Sequence, residues 1–85
     1  MEIIKGEKSC KYSWQEDFPT TLSCDCRGTC HLAFVAIEEP GKKEEDGWIC
    51  DSRPEDAELW PHDAIAVAVY ICKNCMKTRS IMNQA

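Results

Sequence analysis

No uninterrupted apolar stretch of roughly 18 residues occurs in the 85-residue chain, so no segment reads as a membrane-spanning helix. The opening Met1-Glu2-Ile3-Ile4-Lys5-Gly6-Glu7-Lys8 is broken by charge and lacks the apolar core of a secretory leader, which sets the expectation of a cytoplasmic protein. Repeats of solenoid length, low-complexity tracts and a glycine-rich phosphate loop are also missing. No catalytic set stands out either. Glu38, Glu39, Glu44, Glu45 and Asp46 form a charge run of the kind that normally marks a solvated loop, and no Cys–His pair is singled out for nucleophilic attack. At 44% apolar and 29% charged residues, the composition is not that of a disordered chain. The expectation is one small non-enzymatic domain over residues 1–85.

Against these absences stand seven cysteines. A domain of this size buries only about 60–65% of its unfolded surface, so its core alone leaves a thin margin of stability. Disulfides or a metal usually supply the rest. The cysteine count is odd and no export signal precedes it, so clustered thiols read as metal ligands rather than disulfides.

The cysteines sit within a weak two-fold echo of strand, cysteine cluster, strand. The first copy runs from Thr20-Thr21-Leu22-Ser23 through Cys24-Asp25-Cys26-Arg27-Gly28-Thr29-Cys30 to residues 31–37. The second runs from residues 64–71 through Cys72-Lys73-Asn74-Cys75 to residues 76–81. Ile65, Val67, Val69 and Ile71 alternate with alanines at 64, 66 and 68, the pattern of a central strand closely approached on its alanine side. Residues 38–47 carry Pro40-Gly41 and end at Gly47, predicting an exposed acidic hairpin loop with Trp48-Ile49-Cys50 as the returning strand. Pro54-Glu55-Asp56-Ala57-Glu58-Leu59-Trp60 predicts one short helical turn, with Pro54 at its first position and acids beside it. Residues 1–18 read as either a strand or a packing arm.

Zinc takes four ligands in a tetrahedron, and two cysteines a few residues apart on a tight turn can both aim at it. Cys72 and Cys75 form the stronger half of such a site, with Asn74 suited to a tight turn. For the other half, Cys26 with Cys30 is the leading pair, and Gly28 relieves the bend between them. Cys24 with Cys30 and Cys24 with Cys26 remain alternatives. Cys24 and Cys26 would point to opposite faces of an extended strand, so both ligate only if the chain turns between them.

At Cys26, Cys30, Cys72 and Cys75 and their flanking strands, the chain resembles the zinc-ribbon group, which shares a two-knuckle site with rubredoxins. That resemblance implies a small, mostly β, metal-stapled fold of antiparallel hairpins holding one Zn2+, with iron as the alternative ion. The chain departs from the group's usual pattern by three intervening residues in the first knuckle, by Cys24 beside it, and by the lack of a glycine after Cys75. Cys10 and Cys50 read as small buried hydrophobes. His31 reads as a strand residue and His62 as a loop residue, leaving too few donors for a second zinc.

Charge is unevenly placed. Between residues 38 and 58 nine acids face three bases, a local −6, whereas Lys73, Lys77 and Arg79 near the end meet no acid. Four thiolates around Zn2+ would add −2 to the formal −5 of the chain. Three clustered bases neutralise few phosphates, which argues against nucleic acid. The expected partner is a protein with a basic surface, steered by the acidic region Glu38–Glu58, near which Trp48 and Trp60 could join a contact.

Overall fold

Ile65, Val67, Val69 and Ile71 are stiff at χ1, and with alanines between them they fit a pleat better than a helix. They form β4 (Ile65–Cys72), an inner strand of a five-stranded antiparallel sheet in a computed structural model that describes residues 1–62 and 64–85. The other strands are β1 (Glu2–Lys5), β2 (Thr21–Ser23), β3 (Thr29–Ile37) and β5 (Thr78–Gln84). The order is β1-β3-β4-β5, with β2 also paired to β3. β1 lies against residues 34–37 of β3 and β2 against residues 29–31, so the two short strands divide one edge between them.

The β3–β4 register slips between Leu32 and Phe34, and the Ala33 carbonyl accepts the Gly6 N–H at 2.7 Å. This bulge resets the pleat. Cys30, Leu32, Val35 and Ile37 therefore share a face with Cys72, Tyr70, Ala68 and Ala66, and all eight are buried. The chain between β1 and β2 covers that face. Phe18 is buried there, and Cys10 and Trp14 pack against the same core. Trp14 Nε1 donates to the Ile65 carbonyl at 3.1 Å and Tyr70 Oη donates to the Pro19 carbonyl at 2.7 Å. The alanines of β4 admit this close approach, as the alternation predicts. Full burial of a side chain the size of Phe18 contributes about 1.5–3 kcal/mol.

The fold class matches expectation: a small, mostly β protein with an antiparallel sheet and a four-cysteine cluster. Some connections differ. Trp48-Ile49-Cys50 is no returning strand; Ile49–Ser52 is a short 3-10 turn. The reason is geometric, since the end of β3 already has β1 on one edge and β4 on the other. Residues 38–47 thus lead from β3 to that turn instead of closing a hairpin. Glu38, 3% exposed, anchors the turn by accepting the Ile49 N–H at 3.0 and 3.2 Å on its two oxygens. The predicted helical segment from Pro54 holds one reverse turn, closed by Ala57 N–H to the Pro54 carbonyl at 3.1 Å. A second 3-10 turn spans Glu7–Lys11, in the covering arm. Among the described residues no helix is long and apolar enough to cross a membrane.

Candidate metal centre

Two hairpins meet at one end of the sheet. β2 and β3 are joined through residues 24–28, β4 and β5 through residues 73–77, and Cys30 lies opposite Cys72 where β3 starts and β4 ends. The two connecting turns therefore lie side by side, linked by Lys73 N–H to the Thr29 carbonyl at 3.2 Å. Gly28 marks the closest approach, because a Cβ there would fall 2.7 Å from Asn74 Nδ2.

Each turn is closed by its own backbone. Cys24 N–H donates to the Gly28 carbonyl at 3.1 Å and Arg27 N–H to the Cys24 carbonyl at 2.9 Å. In the second turn Met76 N–H donates to the Cys72 carbonyl at 3.0 Å and Cys72 N–H to the Lys77 carbonyl at 2.8 Å. Arg27 and Met76, each directly after the second cysteine of its pair, hold left-handed φ values of 70° and 63°. Those are positions where a glycine would carry no steric penalty.

This geometry brings four sulfurs together. The Sγ atoms of Cys24, Cys26, Cys72 and Cys75 all lie within 4.8 Å of one another. The closest pairs bridge the two turns: Cys24 to Cys75 at 3.6 Å and Cys26 to Cys72 at 3.5 Å. These separations far exceed the roughly 2.05 Å of a disulfide. They approach the edge of about 3.8 Å expected of a sulfur tetrahedron around a metal at roughly 2.3 Å.

Backbone amides point at the sulfurs and shape their acidity. Cys26 N–H bonds to the Cys24 sulfur and lowers its pKa. Cys75 N–H, working against burial and joined by Asn74 N–H, brings the Cys72 thiol down to about 6. At Cys26 the Gly28 N–H favours the thiolate, but the neighbouring sulfurs of Cys72, Cys24 and Cys75 outweigh it and push the thiol up to about 12. Four thiols so close cannot all ionise on their own, and a divalent cation between them removes that conflict.

Of the leading predicted set, Cys26, Cys72 and Cys75 are in this group and Cys30 is outside it; Cys24 completes the four. Cys24 and Cys26 both reach the cluster because the chain is not extended between them: the reversal begins at Cys24 itself. Cys30 sits within regular β3, fully buried, and its burial, with the nearby Cys24 and Cys72 sulfurs, raises its pKa. His31 is exposed and pairs with Ile71 on the opposite face of the sheet. Cys10 packs against the core from the covering arm. Cys50 belongs to the 3-10 turn at the far end of β3, its Sγ 3.9 Å from Asp51 Oδ1. His62 is exposed, and its N–H donates to Gln84 Oε1 at 2.7 Å.

No protein family, curated protein or solved structure matches this chain. The class its fold and site define is that of a small β protein whose four-cysteine cluster fits a zinc-ribbon-like metal site.

Proposed function

We propose that this protein is a non-catalytic interaction module stapled by one Zn2+ held by Cys24, Cys26, Cys72 and Cys75. The observation that carries the reading is the convergence of four sulfurs from two separate hairpin turns at near-tetrahedral spacing. Four thiolates leave no open coordination position, so such an ion ties hairpins together and activates no water. The acidic stretch of residues 38–58 lies at the other end of the sheet and favours a partner with a basic surface, through steering of the encounter.

Elemental analysis of natively purified protein tests the site. One zinc per chain is expected in the wild type and in Cys30→Ala, and a small fraction of that in Cys24→Ser. A full complement in Cys24→Ser overturns this ligand set, and a metal-free wild type overturns the module. For the interaction, affinity capture is run with and without chelator; recovery of no chelator-sensitive protein counts against it.

A rubredoxin-like iron electron carrier is the second reading, favoured by the exposure of Cys26 and Cys75 and by the N–H donors aimed at the sulfurs. A red protein after aerobic purification from iron-replete cells supports it, and a colourless zinc-loaded one ends it. Nucleic-acid binding through Lys73, Lys77 and Arg79 has weaker support, because three bases release few counterions.

A further inference from the structure

The covering arm protects one face of the sheet. On the other face, cross-strand pairing sets Ile3, Ala36, Val67 and Met82 in one row and Phe34 beside Val69 in the next. Ile71 follows, towards the cysteine turns. An antiparallel sheet with one face in water normally alternates apolar-in and polar-out. Here both faces are apolar at the centre of the sheet. Ile3 is 61% and Met82 46% exposed, and the residues between them are half-buried. The apolar surface continues past Met82 into a groove of about 300 Å3 walled by Trp60 and by Leu59, which is 90% exposed.

Charge is polarised along the strands that cross this face. The cysteine turns carry Arg27, Lys73 and Lys77 against Asp25, and Arg79 follows at the start of β5, a local +3 that a zinc tetrathiolate would reduce to +1. The opposite end carries the −6 of residues 38–58. A face-to-face pair related by a two-fold axis across the strands sets each acidic end against the other copy's basic end, and the contact closes on itself. A pair with its cysteine ends together sets −6 against −6. The chain is therefore complementary to its own reversed copy.

We propose that the exposed centre of this sheet face is a homodimer interface, on which a second copy of this chain stacks with its cysteine turns over the first copy's acidic end. Ile65, at the acidic end of this face, is 1% exposed and already covered, so four strands about 4.8 Å apart and about five residues long outline roughly 300 Å2 per copy. That area corresponds to a weak, reversible dimer, below the roughly 1,200 Å2 total of a stable specific interface. The inference goes beyond the metal-stapled reading and does not depend on which ion is bound.

Sedimentation of the full chain across about 5–500 µM tests it, because weak association follows mass action. The wild type should move from 9.7 kDa towards twice that mass. Ile3→Lys and Met82→Lys alter side chains already exposed in the monomer, so each should keep its circular dichroism and metal content yet stay monomeric over the same range. Lys73→Glu with Lys77→Glu should weaken dimerisation at least threefold. A wild type monomeric throughout overturns the proposal and leaves the face to a different protein. A dimer that survives Ile3→Lys and Met82→Lys also overturns it, and indicates pairing through an edge of the sheet.

Discussion

Arg27 and Met76 accept a backbone conformation that costs a side-chain-bearing residue about 1–2 kcal/mol. Their position explains why: each ends the reversal that leaves backbone N–H groups facing a sulfur. Met76 is 71% exposed, so its side chain adds little packing. Met76→Gly should therefore stabilise the metal-loaded protein by about 1 kcal/mol, net of glycine's greater freedom when unfolded. Urea titration measures this, and a loss of stability would show that the methionine makes contacts that outweigh the strain. Gly28 is constrained for a different reason, the proximity of the facing turn. Gly28→Ala forces Asn74 away and should separate the two cysteine pairs, lowering metal affinity at least tenfold in a competition titration with a chromogenic chelator. Adding Asn74→Ala should restore most of it; no restoration would place the damage elsewhere.

At the scale of elements, β3 decides the architecture. Its nine residues pair with β1, β2 and β4, so the chain leaving Ile37 cannot fold back onto it and crosses to a separate turn at Ile49–Ser52. Glu38 holds that turn through a buried carboxylate. Truncation leaves the Ile49 N–H without its charged acceptor and costs about 1.5–3 kcal/mol, the range for hydrogen bonds to charged groups. Glu38→Ala should accordingly speed amide exchange at Ile49 while leaving metal content unchanged, and Glu38→Gln should retain part of the protection. Loss of metal in Glu38→Ala would mean that the two ends of the sheet unfold together. This turn also accepts Trp60 Nε1 at the Ile49 carbonyl, 2.9 Å away, and Asp51 accepts the Trp48 N–H, so hydrogen bonds at Trp48, within the acidic segment, and at Trp60, just past it, tie it down.

At the scale of the whole molecule, an ion held by the four cysteines would couple metal binding to folding. Structural zinc in a small domain contributes an apparent 10–16 kcal/mol or so near neutral pH, comparable to the entire stability of about 5–15 kcal/mol typical of globular domains. Stripping the ion with a strong chelator should unfold the hairpin pair cooperatively. Near-ultraviolet tryptophan dichroism should vanish with the metal and return when zinc is restored. An identical melting curve with and without chelator would remove the staple from the account.

Much of this was readable from the residues. Alternation at 65–71 gave a central strand with its alanine side closely approached, and the cysteine count pointed to a cluster able to hold a metal. Spacing also placed Cys72 and Cys75 on one turn, since only local backbone geometry is involved. Three things required the folded chain. Whether Cys24 or Cys30 faces Cys72 and Cys75 depends on where a reversal begins, and spacing does not register a left-handed residue at Arg27. The absence of a strand at Trp48-Ile49-Cys50 follows from β1, a segment more than forty residues earlier, occupying the edge it needed. The apolar row from Ile3 to Met82 joins four strands whose neighbourhood is set by pairing across the sheet. Local pattern fixes what a segment can become, and competition among distant segments for the same edge and the same face fixes what it meets.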